Sequence, residues 1–381
     1  MLRLGPGSAK VETAFFYTDR YFSFDYGASH PLKIERLKLT YDLCRAYGLF
    51  ELPGAKLIET EPAAEADILR FHTPQYVEVL KRAEQGLSDG DYTHGLGPGD
   101  NPVFPGLWQW SLLHTGASLQ CARLVSSGQA RIAFNIAGGL HHAAANRASG
   151  FCYVNDVVLA IYHFLDQGKR VLYLDVDAHH GDGVQWAFYG DPRVLTVSFH
   201  QDGRTLFPGT GAASEKGRGE GLGYCVNVPL YPGTDDEVFW KGFEAVVPRL
   251  FEAFRPDVVV SQLGVDTLES DPLAHLELTT NGFSKVAQYL TDRAPAWVAL
   301  GGGGYDLGNV ARCWTLAWAI MNRVDLPDEL PDPMRPVLVR LGACHGKLRD
   351  APHRSHWHDR CREHMDHVLR YLEEDVLPRV R

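Results

Sequence analysis

Four short apolar runs, each giving way to a polar or glycine-rich motif, restrict this chain more than any other feature of its sequence. Residues 131–136 lead into Ala137-Gly138-Gly139-Leu140-His141-His142, and residues 170–174 lead into Asp175-Val176-Asp177-Ala178-His179-His180-Gly181-Asp182. Residues 257–262 precede Leu263-Gly264-Val265-Asp266, and residues 296–300 precede Gly301-Gly302-Gly303-Gly304-Tyr305-Asp306. Such runs read as buried strands, and others of the kind lie at 14–17, 194–199 and 225–228. Between many of them, apolar residues recur at helical spacing. Val157, Val158, Ile161, Phe164 and Leu165 stand ahead of Gly168, and Val238, Phe239, Phe243, Val246, Val247 and Leu250 stand ahead of Arg255-Pro256. Strands alternating with helices of this length predict an α/β fold, a largely parallel sheet covered on both faces. In such a sheet ligands bind at the carboxyl ends of the strands, so four motifs at four strand ends can build one site.

Composition narrows the function. With 37 basic against 47 acidic residues the formal charge is -10, and no basic block of five or more residues is present, which argues against holding nucleic acid through its phosphates. Residues 1–10 lack the apolar core of a secretory signal, and no stretch approaches a membrane span. The seven cysteines (Cys44, Cys121, Cys152, Cys225, Cys313, Cys344 and Cys361) are dispersed without CxxC spacing, the pattern of reduced thiols in a cytoplasmic protein. The 381 residues read as a single domain with a core over about 14–322. The proline-rich stretch 326–336 opens a C-terminal extension, about 326–381, that packs on the core and ends in a helix over 364–376.

The cluster around residues 175–182 carries the chemistry. A lone Asp-x-Asp suits a solvated turn, but here three carboxylates and two imidazoles fall within eight residues. In extended chain Asp175, Asp177 and His179 point to one side. An oxygen- and nitrogen-rich set fits zinc or another first-row divalent ion, and a catalytic site needs three protein ligands with one position left open. Asp177 and His179 supply two, and Asp266 at a neighbouring strand end is the best third. Asp175 and Asp182 then remain to set the tautomers of His141 and His142, and two His–Asp pairs with different pKa values could divide base from acid work. The four glycines before Tyr305 lack the pattern of a phosphate loop and instead leave a phenol facing the site, where it can donate to an oxyanion. The tail histidines His345, His353, His356, His358, His364 and His367 have no zinc-finger spacing and read as surface residues.

Taken together, these motifs resemble the histone deacetylase superfamily, close to the class I enzymes and closest to the bacterial acetoin utilization (AcuC) branch. The resemblance runs from about Tyr17 to Asn322. It rests also on Asp25-Tyr26-Gly27-Ala28-Ser29-His30-Pro31, Gly99-Asp100-Asn101-Pro102-Val103-Phe104, Gly150-Phe151-Cys152-Tyr153-Val154-Asn155-Asp156 and Phe207-Pro208-Gly209-Thr210-Gly211. It implies an arginase/deacetylase-like fold with a central eight-stranded parallel sheet. It implies zinc, or iron, on Asp177, His179 and Asp266, with His141 paired to Asp175 and His142 paired to Asp182 as principal general base and acid. Tyr305 would polarise the acetyl carbonyl. Phe151 and Phe207, with Gly150 beside them, would wall a narrow tunnel, and Gly303, Leu273 and Asp100 would complete the substrate contacts. Arg36 would border an acetate channel. One potassium ion would sit on Asp175, Asp177, His179, Ser198 and Phe199, and another on Phe188, Asp191, Val194 and Tyr224.

The implied activity is hydrolysis of acetyl-lysine in proteins to lysine and acetate, with acetylated metabolic enzymes such as acetyl-coenzyme A synthetase as partners. The segment after Pro336 departs from class I enzymes, so "histone" does not carry over as the substrate. Leu273 stands where polyamine-selective relatives have an acid, which favours protein lysine over the alternative, an acetylpolyamine or another small amide.

Overall fold

The computed structural model describes residues 3–4, 12–87, 90–342 and 346–381; Cys344 and His345 lie outside the described residues. Eight strands build one sheet: β1 (Thr13–Tyr17), β2 (Ala55–Glu59), β3 (Ile132–Asn135), β4 (Val171–Asp175), β5 (Val194–Gln201), β6 (Cys225–Leu230), β7 (Val258–Gln262) and β8 (Trp297–Leu300). All pairings are parallel, in the order β2-β1-β3-β8-β7-β4-β5-β6. Seven strands fall where the apolar runs predict them. The eighth, β2, has no such signal in its sequence. It is an edge strand of sequence AKLIE with Lys56, Leu57 and Glu59 exposed, so only one neighbour and one face constrain its composition.

Alternation along the strands feeds two separate cores. Phe15, Leu172 and Leu174 point into one, while Ala14, Phe16, Val171 and Tyr173 point into the other. Helices α2 (Leu107–Ser126) and α3 (Asp156–Leu165) cover the second face through Cys121, Ala122, Val158 and Phe164. Helices α1 (Glu35–Ala46), α5 (Asp236–Phe254), α6 (Thr280–Arg293) and α7 (Leu307–Met321) cover the first, where Trp314 and Trp318 are fully buried. Between β4 and β5 runs the short helix α4 (Asp182–Phe188). Gly168 at φ +69° follows α3, and α5 ends in Arg255 at φ +48°, so both helices stop where the sequence places their breaks.

The order of the strands positions the site. The chain leaves β3 through α3 and enters the sheet again at β4, skipping two places that β8 and β7 fill later. The carboxyl ends of β3, β8, β7 and β4 are therefore adjacent, and these are the strands that carry the four motifs.

The final helix, α8 (His358–Asp375), begins six residues before the predicted one because Cys361, Met365, Val368 and Leu372 form a buried stripe inside a polar-looking segment. It packs on α5 and β6. His358 is not a surface residue: its Nδ1 lies 2.7 Å from Asp235 Oδ2, and Asp235 also accepts from the Val238 N–H to cap α5. No helix among the described residues is long and apolar enough to cross a membrane.

His72 supplies a pH-dependent element of the fold. Its Nε2 accepts the Asn155 N–H at 3.0 Å, and burial lowers the imidazole to about 4. Below the unfolded-state value near ~6.5, the unfolded chain binds the proton first, so this contribution is complete above that pH and is lost as pH falls toward the folded value. Urea midpoints should show wild type losing about 2 kcal/mol more than His72→Gln between pH 7 and pH 5.

Candidate active site

The β4 strand ends at Asp175, and from there the chain turns so that neighbouring acids serve different partners. Alternation predicts Asp175, Asp177 and His179 on one side, but the extended chain stops at the first of them. Asp175 faces His141, with Oδ2 2.7 Å from Nδ1, and accepts the Tyr173 hydroxyl at 2.6 Å. Asp182, at the start of α4, takes His142 Nδ1 at 2.7 Å through Oδ1 and also accepts the Gly183 N–H. The two imidazoles meet at Nε2, 3.1 Å apart.

Their environments differ. Burial opposes charge on His141, but Asp175 and Asp177 outweigh it and raise the ring to about 9. Burial and the charge of His141 lower His142 to about 4. With Asp182 holding Nδ1, Nε2 is the basic atom of a neutral His142, and the two pKa values are driven apart as acid and base roles require.

Beside this pair, Asp177, His179 and Asp266 are buried with one ligand atom from each within 4.8 Å of the others, the single such group among the described residues. His179 Nδ1 lies 3.1 Å from Asp177 Oδ1 and 2.9 Å from Asp266 Oδ2. Burial would lower this imidazole, but hydrogen bonds to the two carboxylates raise it to about 10. Neither carboxylate has a lysine or arginine ion pair among the described residues, so the site favours a positive charge at its centre. Two oxygens and one nitrogen in that position fit a first-row divalent ion.

The outer carboxylate contacts fix this set. Gln262 Nε2 donates to Asp177 Oδ2 at 2.5 Å, the Gly303 N–H donates to the same oxygen at 2.8 Å, and the Ala178 N–H donates to Asp266 Oδ1 at 2.8 Å. A Cβ on Gly303 would stand 2.2 Å from Asp266 Oδ2 and 2.8 Å from Asp177 Oδ2, which explains a glycine there. Asp156 accepts the Gly139 and Leu140 N–H groups and the Ser118 hydroxyl, and so holds the loop that presents His141 and His142.

In the cavity that His141 and His142 also line, the phenol of Tyr305 is raised well above 10, by burial and then by Asp266 and Asp177, so it stays protonated and can donate. The Tyr305 ring lies 5.6 Å from Phe151 and 6.4 Å from His179, while Phe207 lies 5.1 Å from His142. A side chain at Gly150 would strike His142 Cδ2 at 2.4 Å and Phe207 at 2.9 Å. Exposed Asp100 is placed by its carbonyl, 3.2 Å from His30 Nε2, and His30 packs edge-on to Phe151. Leu273 is partly buried and gives its N–H to Asp271. Arg36 donates to the Gly304 carbonyl at 3.0 Å, and its Nε is buried with no partner among the described residues.

The residues expected to hold potassium fall in two places. Asp175 pairs in register with Ser198 on β5, whose Oγ lies 2.7 Å from His200 Nδ1, and Phe199 follows. At the amino end of β5, the Phe188 carbonyl accepts the Asp191 N–H, the Asp191 carbonyl accepts the Val194 N–H and the Tyr224 carbonyl accepts the Thr196 N–H. Sequence reasoning missed the functions of Tyr173, Gln262, Asp156 and Asp271. Only Asp156 stands in a motif block, and the contacts of Gln262 with Asp177, Asp156 with Gly139 and Asp271 with Tyr305 join groups far apart in the chain.

A model of the histone deacetylase domain matches residues 30–321. The chain is 39% identical over 330 residues to acetoin utilization protein AcuC of Bacillus subtilis, covering 84% of each. It is 39% identical over 335 residues to histone deacetylase 19 of Arabidopsis thaliana, covering 87% of this chain but 66% of that one. It likewise spans 65% of type-1 histone deacetylase 1 of Dictyostelium discoideum. Crystal structures of an HDAC homolog from Aquifex aeolicus (TM-score 0.85, 32% identity) and of an HDAC homolog complexed with SAHA (TM-score 0.86, 33% identity) each align with 95% of this chain and 100% of their own. The chain belongs to the histone deacetylase family. The fold is the arginase/deacetylase fold that the resemblance implied.

Gly303→Ala should lower divalent-metal affinity at least ~10-fold in equilibrium dialysis, because its methyl would displace both carboxylates.

Proposed function

We propose that this chain, as a single deacetylase domain, hydrolyses the acetyl amide of lysine side chains in proteins. The observation that carries the reading is the pair of His–Asp dyads, 2.7 Å each, set beside a buried Asp-His-Asp group and facing a protonated tyrosine. A zinc ion, or iron, on Asp177, His179 and Asp266 would supply Lewis acidity, polarising the amide carbonyl and lowering the pKa of a water.

His142 Nε2 takes the proton of the attacking water while Asp182 holds its other nitrogen. His141, carrying its proton and fixed by Asp175, stabilises the charge change beside it. The Tyr305 hydroxyl donates to the oxyanion as the carbonyl becomes tetrahedral. His142 then returns its proton to the departing lysine nitrogen, giving a free amine and acetate.

Phe151 and Phe207, separated by the bare backbone of Gly150, suit the methylenes of a lysine, and Asp100 at the rim suits peptide N–H groups. The unpartnered Nε of Arg36 suits acetate leaving below the site. Leu273 supports protein lysine over acetylpolyamine, because it cannot pair with a second ammonium. Potassium would be held at the Asp175–Ser198 and Phe188–Tyr224 sites, bringing positive charge near the buried acids. The six cysteines among the described residues are all buried and free, which suits a reducing cytoplasm, where acetylated metabolic enzymes such as acetyl-coenzyme A synthetase would be the partners.

Acetate release from an acetyl-lysine peptide should disappear on chelation and return with zinc, at about one ion per chain. A metal-loaded chain that cleaves acetylpolyamine but not peptide would overturn the substrate. Tyr305→Phe should lower kcat by about 10²–10³-fold with metal content unchanged.

A further inference from the structure

We infer that Asp271 is a positioning residue for Tyr305, its carboxylate tying the tyrosine to the rim segment that carries Leu273. Asp271 is 6% exposed and has no lysine or arginine ion pair among the described residues. Its two oxygens are divided between two loops: Oδ2 accepts the Tyr305 N–H at 2.8 Å, and Oδ1 accepts the Leu273 N–H at 2.9 Å. A second link runs alongside, where Ser270 Oγ donates to Asp306 Oδ2 at 3.1 Å and accepts Asn309 Nδ2 at 2.8 Å.

Tyr305 needs such a hold. It follows four glycines, with Gly302 at φ +127° and Gly304 at φ +129°, a stretch whose own conformational preferences cannot aim a ring. The earlier part of that stretch is fixed by the Gly303 N–H on Asp177 and by Arg36 on the Gly304 carbonyl. The peptide N–H of Tyr305 itself is fixed by Asp271. A hydroxyl displaced by an ångström from a developing oxyanion loses on the order of 10²-fold in rate. The same carboxylate holds Leu273, so the rim contacted by a substrate and the group that stabilises its transition state share one anchor.

The inference rests on Tyr305 acting as the oxyanion donor, and a double-mutant cycle tests it on the acetylated amide that wild type turns over fastest. A wrong substrate assignment would then show as an inactive wild type on the peptide, separately from the cycle. Asp271→Asn keeps the shape but replaces one acceptor by a donor, so one of the two N–H bonds is lost. It should lower kcat about 10–100-fold with KM changed by less than about threefold. In a Tyr305→Phe background the same substitution should change kcat by less than about threefold, because no hydroxyl remains to be positioned. Losses that multiply would mean a general structural role and would overturn the inference. Ser270→Ala, at an exposed side chain, runs the same cycle through the parallel link if Asp271→Asn does not fold: a several-fold loss that vanishes with Tyr305→Phe supports the inference, and an additive loss overturns it.

Discussion

The burial of several carboxylates at one rim, without lysine or arginine partners among the described residues, is the constraint on which the rest of this structure depends. Asp175, Asp177 and Asp266 are all at most 1% exposed, and Asp156 is fully buried nearby. An ionised carboxylate in such surroundings costs several kcal/mol unless it is compensated. The compensation comes from imidazoles and from backbone and amide N–H groups, each aimed at one oxygen. That solution leaves negative charge concentrated where Asp177, His179 and Asp266 converge, which is the electrostatic requirement for holding a cation. The acids that look alike in sequence are separated by their partners: Asp175 and Asp182 orient histidines, Asp177 and Asp266 converge on His179, and Asp156 and Asp271 hold loops.

Close approach of backbone to these acids accounts for the glycines. At Gly303 a Cβ would intrude on two carboxylates, and at Gly150 it would intrude on His142 and on the Phe207 ring. These positions are small because the site is built from main chain as much as from side chains. The cost is conformational freedom, which the surrounding hydrogen bonds offset. The tail serves a different purpose. By pairing His358 with Asp235 and burying the stripe through Met365, it covers the β6 edge that would otherwise stand open.

Much was legible in the linear chain because apolar runs and motifs are local. Seven of the eight strands, the stops of α3 and α5, and the convergence of four motifs could be read from spacing alone. The edge strand β2 could not, since only one face and one neighbour select its residues. The start of α8 was hidden for a related reason: its apolar stripe is carried by Cys361 and Met365 among charges, and it becomes visible only against the face it covers.

The sequence by itself determined which residue types would stand at the strand ends, because period and composition are properties of neighbours in the chain. It could also nominate Asp266 as a third ligand from its place after a strand. The resemblance implied which imidazole each of Asp175 and Asp182 would orient; only the tertiary structure decided that Gln262 would brace Asp177 and Asp156 the loop before His141, and that Asp271 would join Tyr305 to Leu273. Those roles depend on hydrogen bonds between groups 17 to 85 residues apart, and a hydrogen bond's direction and length are set by the packing of the sheet and loops, not by position in the chain.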